Sequence, residues 1–374
     1  MRTILFGFRI RRFGFGNLLF ALACAALLPA AEKNGSLTGV GRMHELRGSH
    51  TATLLPNGKV LVAGGFKKDR TYSQIYFKSA ELFNPRTRVF ELTGNLNVAR
   101  CGHTATLLAD GKVLVVGGGD DRPLSSAEIY DPQTERFSFV GEMSVPRQGH
   151  TATLLTDGNV LIIGATRDTD HGAELFNAKT MRFESTGLPA FNRLAHTATL
   201  LSDGRVLVVG GAVDEGRGHR VLQSAEFYDP KKREFAATGN MTTVRYKHGA
   251  ALLPDGSVFI IGGSDERDWQ GQYKSAELFD PKKGSFTRIG DARSKRFKLP
   301  GAITQLEDGS TLIAGGSNYI ERFDWKSRAF STVAELEEPN FYSTVTLLAD
   351  GTVLIAGGYN TQPQSTDKAW LYRH

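Results

Sequence analysis

The sequence predicts an all-β fold: a β-propeller of seven blades, each with four antiparallel strands, closed by an N-terminal strand that completes the last blade. Three observations predict it. A segment of the form HTATLL recurs along the 374-residue chain. Each copy is followed by an Asn-Gly or Asp-Gly pair and then by an apolar, β-branched run ending in glycine. The copies start about 42 to 53 residues apart, the period expected of propeller blades.

The copies begin at His50, His103, His150 and His196, with a looser one at His248 and two without histidine at Gly301 and Ser343. The turns Asn57-Gly58, Asp110-Gly111, Asp157-Gly158, Asp203-Gly204, Asp255-Gly256, Asp308-Gly309 and Asp350-Gly351 follow. An Asp-Gly pair between two β-rich runs is a hairpin signal, because its central residues need positive φ. Each unit then holds a glycine pair (Gly164-Ala165 in the third), a segment such as that ending in Asp131-Pro132, and a last strand opened by an aromatic such as Phe137. One such sheet leaves both faces bare, and stacking the units in a ring covers them.

Seven units supply strands one to three, but only six are followed by a strand four, near Phe90, Phe137, Phe183, Phe235, Phe286 and Phe330. The missing strand is expected at the other end. Gly41 stands nine residues before His50, as Gly94 does before His103 and Gly141 before His150. Residues 36–40 are therefore expected to be strand four of the blade that ends at His374.

Residues 1–31 read as a signal peptide and 32–374 as one propeller domain. Arg2, Arg9, Arg11 and Arg12 form a basic start, an apolar stretch follows from Leu18 to Leu28, and Pro29-Ala30-Ala31 offers a small-residue cleavage site. The stretch is too short for a bilayer span. Arg11-Arg12 is a poor twin-arginine motif, and Cys24 lies inside the apolar run rather than after it. The reading is a secreted or periplasmic protein with no integral membrane segment after cleavage. The formal charge of +6 includes the leader; without its four arginines, 41 basic residues face 39 acidic ones. No general attraction to nucleic acid follows. Cys101 is then the only cysteine, which excludes an intrachain disulfide.

These units resemble the kelch-repeat family, through the glycine pair, the Arg-x-x-His run before strand one and the Tyr/Phe-Asp-Pro motif before an aromatic. The resemblance covers residues 36–374 and is nearest to bacterial secreted kelch proteins and the galactose-oxidase-like propeller. The usual kelch tryptophan after Asp-Pro is phenylalanine here.

Alternating strand direction puts the uniform Asp-Gly and Asp-Pro turns on one face and the variable connections on the other. Rigidly held variable loops are where binding usually sits. Candidate ligand contacts there are Tyr72, Tyr76, Arg217, His219, Arg220, Trp269, Tyr273, Arg293 and Arg296. The same face carries a basic ring, Arg47, Arg100, Arg147, Arg193, Arg245 and Lys298, with Asn340 in blade seven. Glu81, Glu128, Glu174, Glu226, Glu277 and Glu321 form a matching acidic ring, and blade seven has Trp370 there. The blade that lacks the base also lacks the acid, so the ring reads as structural pairing before anion binding. The repeated histidines sit on different blades without metal-ligand spacing and read as inter-blade hydrogen bonds.

No cofactor or metal is expected, and the chain reads as a monomer. The first functional reading is a binding module for a protein, peptide or glycan. The alternative, implied by the resemblance, is a carbohydrate-active enzyme of the sugar-epimerase or galactose-oxidase type. The oxidase version needs a cysteine–tyrosine cross-link and two histidines on copper, which the residues do not match one by one. The epimerase version would draw acid–base groups from the Arg, Glu and His rings.

Overall fold

The computed structural model describes residues 35–374 except 69–73, 165–171, 217 and 363. The expected signal segment lies outside the described residues. Seven four-stranded antiparallel sheets form the ring. Blade one runs Thr51–Leu54, Val60–Ala63, Ala80–Asn84 and Val89–Leu92. Strand one of each blade touches strand one of both neighbours, so these strands surround the axis. Strand two lies between adjacent blades with both faces covered, which is why it reads as an unbroken apolar run; Val113–Val116 and Val160–Ile163 are wholly buried.

Closure occurs as the spacing predicts. Ser36–Gly39 pairs antiparallel with Ala369–Arg373, Leu37 opposite Tyr372. The order of the last sheet is Ser36–Gly39, Ala369–Arg373, Val353–Ala356, Thr344–Leu347. The phenylalanine that opens strand four packs on an aromatic directly across strand three. Phe83 with Phe90, Tyr130 with Phe137, and Phe279 with Phe286 have ring centroids 4.9, 4.8 and 4.6 Å apart.

Three repeated fastenings explain the repeat residues. First, the arginine before strand one enters its own blade. Arg100 donates to the Gly117 carbonyl at 2.7 Å and to Glu128 Oε1 at 2.7 Å, and Glu128 also accepts the backbone N–H of Asn97 at 2.7 Å. The pair thus ties the incoming connection to strand three. Arg47–Glu81, Arg147–Glu174, Arg193–Glu226 and Arg245–Glu277 repeat it. Burial lowers each guanidinium from its ordinary value, and the facing glutamate opposes it.

Second, each repeat histidine shares a hydrogen bond with the first threonine of the preceding blade: His50 with Thr344, His103 with Thr51, His150 with Thr104, His196 with Thr151 and His248 with Thr197, at 2.8–3.0 Å. Burial, with nearby arginines, pulls His50, His150 and His248 down to about 3, so the rings are neutral. Third, the glycine pair admits the next blade. Gly64 has φ +62°, and a Cβ there would stand 2.5 Å from the Arg100 carbonyl oxygen; the next residue, Gly65, donates its N–H to that oxygen at 2.8 Å.

Blade six departs from the sequence reading. Arg296, expected among the ligand contacts, is fully buried and donates to Glu321 Oε2 at 2.5 Å and to the Gly315 carbonyl at 2.8 Å. Gly263 N–H bonds its carbonyl, as Gly65 does that of Arg100. Arg296 is therefore the basic-ring residue, and Lys298, expected there, is not. Two extra residues between the arginine and strand one shift the count. In blade seven Asn340 donates to the Gly357 carbonyl at 2.6 Å, keeping the neutral half of the arginine's role without a partner acid.

A collar of backbone hydrogen bonds and a buried lysine at the channel mouth

Two positions after each ring residue the chain turns through positive φ, at Ser49, Gly102, Gly149, Ala195, Lys247, Lys298 and Tyr342. These seven turns are joined by backbone bonds into a closed circle. Gly102 N–H donates to Ser49 O, Gly149 to Gly102, Ala195 to Gly149, Lys247 to Ala195, Leu299 to Lys247, Tyr342 to Lys298 and Ser49 to Tyr342, at 2.7–3.3 Å. The collar lies at the loop-rich end of the ring of first strands. It is uneven: blades one to four contribute serine, glycine or alanine, while blades five to seven contribute Lys247, Lys298 and Tyr342.

Lys298 is 7% exposed. Its Nζ donates to Tyr359 Oη at 2.8 Å and lies 4.0 Å from the centroid of the Trp269 ring, 4.8 Å from Phe297, 5.4 Å from Tyr359 and 5.9 Å from Tyr342. Among the described residues no carboxylate forms an ion pair with it. Aromatic faces attract a cation but do not replace a counter-ion. Burial, helped by the like charge of Lys247 and Lys68 and opposed by Asp268, brings the amine from 10.5 down to about 7.

The wall around it spans several blades. Phe66, Cys101, Phe297, Phe341 and Tyr359 form one buried cluster with Tyr76 and Tyr342 against it. Trp269 meets Phe297 and Phe341 edge-on at 4.6 and 4.8 Å. It sits on the short 3-10 turn Asp268–Gln270, which a clamp holds: Lys247 Nζ and Tyr246 Oη donate to Asp268 Oδ1 at 2.8 and 2.9 Å. Burial pushes the Asp268 carboxyl up, but Lys247 and Tyr246 outweigh it and leave the group below its ordinary value. Cys101 is a thiol, not a thiolate, since burial pushes it up to about 12.

The sequence candidates distribute as follows. Trp269 and Tyr76 belong to the mouth. Tyr273 lies beside it, donating to Asp265 Oδ2 at 3.2 Å. His219 and Arg220 are exposed on the small hairpin of Ala212–Asp214 with His219–Val221, where Arg220 pairs with Glu215. Arg293 lies over the Tyr319 ring at 4.2 Å, on the exposed side of strand four. Tyr72 and Arg217 lie outside the described residues. Lys247, Asp268, Tyr342 and Tyr359 were not anticipated; the signal for three of the mouth residues is the one collar position at which large side chains replace small ones.

The fold and this site define a propeller with a buried lysine in an aromatic surround on its variable face. The chain is a seven-bladed β-propeller. The Kelch motif model matches residues 99–144, the second blade. A solved fungal alcohol oxidase of the AA5 family, in complex with copper, superposes with a TM-score of 0.72 at 16% identity, over 90% of this chain and 76% of that one. At this identity the likeness concerns the fold. No curated protein matches by sequence.

The donor set does not suit copper. Among the described residues no three His, Cys, Asp or Glu side chains converge as metal ligands. The repeat histidines are committed to threonines in separate blades, Asp268 beside Lys298 is held by Lys247 and Tyr246, and the Cys101 thiol stays protonated.

Proposed function

We propose that this chain is an exported binding module that takes an acidic sugar residue of a glycan at the channel mouth. The observation that carries the reading is Lys298, a buried amine facing four rings with no acid paired to it among the described residues. A buried lysine without a counter-ion is costly, and a ligand carboxylate supplies the missing charge. Lys247 and Lys68 add positive potential around it, against Asp268. Trp269, 40% exposed, offers a ring face for a sugar. The N-terminal basic and apolar segment supports a secreted or periplasmic location.

The Arg and Glu rings are poor candidates for the epimerase alternative, because their side chains are at most 5% exposed and pair with each other. The test is calorimetric titration with methyl glucuronide and methyl galacturonide beside the neutral methyl glycosides. The acids are expected to bind and the neutral sugars not to, with binding lost in Lys298→Met while the melting temperature holds. Equal binding of acid and neutral sugars contradicts the reading, and preference for a carboxylate-ended peptide moves it to a peptide ligand.

A further inference from the structure

The collar brings together a buried amine, a phenol bonded to it and a second cation, which is more than recognition of a carboxylate requires. We infer that Lys298 is a nucleophilic amine that captures, as an imine, the carbonyl group of an acid bearing an aldehyde or ketone beside its carboxylate. The inference rests on the acidic-ligand reading and deepens it.

Amines of lysine become nucleophiles when desolvated in an apolar pocket or set beside another cation. Both conditions meet at Lys298. Phe297, Trp269, Tyr342 and Tyr359 surround Nζ, and Lys247, two positions past its own ring arginine, occupies the adjoining place in the collar. The groups that bear on the amine are Lys247, Lys68 and Asp268. Asp268 is held by Lys247 and Tyr246, so it forms no ion pair with Lys298. The amine is brought to about 7, so both protonation states are populated at neutral pH.

The step balances without a further reagent. The Nζ lone pair adds to the carbonyl carbon, and the carbonyl oxygen takes up a proton to give a carbinolamine. That oxygen takes a second proton, the one the ammonium released on becoming the free amine, and leaves as water, and the nitrogen is left as a protonated imine. Tyr359 Oη, 2.8 Å from Nζ, is placed to relay the proton. Burial pushes this phenol above its ordinary value, so it remains protonated and able to donate. Lys68, and Lys247 although it is paired with Asp268, supply positive potential for the carboxylate. Trp269 covers the amine but is itself partly exposed, which places the approach past its ring.

The experiment is trapping with glyoxylate and sodium cyanoborohydride at pH 7, followed by peptide mapping. Glycolate, which lacks the carbonyl, is the competitor. Lys298 is expected to carry the adduct at least about tenfold more than any exposed lysine, such as Lys283. Glycolate reduces that labelling, Lys298→Arg removes it, and Tyr359→Phe, which keeps the amine, slows it. Labelling spread over exposed lysines without enrichment at Lys298 overturns the inference. If methyl uronides still bind in that case, the acidic-ligand site stands and only the covalent step fails. If neither occurs, the site reading fails with it.

Discussion

Replacing Arg245 by alanine isolates the fastening that repeats through six blades. Arg245 and Glu277 are both fully buried, 2.8 Å apart. The substitution leaves the Glu277 carboxylate with the Thr242 N–H at 2.7 Å but without its guanidinium, and strips a donor from the Gly262 and Ser275 carbonyls, at 2.7 and 3.1 Å. An uncompensated buried charge of this kind costs about 3–5 kcal/mol. Urea unfolding followed by tryptophan fluorescence measures it as a lower midpoint at unchanged slope. Removing both charges tests the cause. Arg245→Met with Glu277→Leu is expected to cost less than Arg245→Ala alone, because apolar replacement of a buried pair is often neutral. Blade seven, with Asn340 and Trp370, is a natural version of that double change. A double variant as unstable as the single one refutes the reasoning and assigns the loss to packing.

Three further outcomes follow from the same structure. Deleting residues 32–43 removes strand four of blade seven and the buried Met43; the melting temperature is expected to fall far more than on removing residues 1–31 alone, and equal curves contradict closure by this strand. His103→Ala breaks the bond to Thr51 and leaves a gap between blades one and two, costing about 1–3 kcal/mol in the same urea assay; because the ring is held neutral in the fold but protonates freely in the unfolded chain, the cost of the substitution is expected to be full at pH 8 and to shrink as pH falls below about 6.5. Uronide affinity should depend on pH in the opposite way. The ligand needs the ammonium form of Lys298, so affinity is full below about 7 and falls by about tenfold per pH unit above it. Calorimetry at pH 6, 7 and 8 reads this directly, and a flat profile removes Lys298 from the binding site.

Much of the fold was legible because it is repeated. Asp-Gly turns, the glycine pair and the aromatic of strand four each recur with a local steric or conformational reason, and the nine-residue spacing of Gly41 from His50 placed the closing strand at the N-terminus. The pairing of Arg with Glu was legible from its joint absence in blade seven. The mouth was not, for a specific reason. Counting back three residues from strand one works only while the connection has constant length. The two extra residues after Arg296 put Lys298 in the basic ring on paper and in the aromatic box in three dimensions. The collar itself is a product of closure: its hydrogen bonds link residues of different blades, and no single unit contains the pattern. Tyr359 and Asp268 come from variable loops whose direction is set by contacts with neighbouring blades, so their approach to Lys298 has no local sequence signal.

The account's central claim is that Lys298 is a buried amine at the mouth with no acid of its own among the described residues. Carbon NMR of lysine ε-methylenes between pH 5 and 11, with the signal assigned by its loss in Lys298→Met, tests it most directly. Lys298 is expected to titrate near 7, far below the exposed lysines, and to move up when a uronide is bound. Titration near 10.5 alongside the others, unchanged by acid sugars, contradicts the claim.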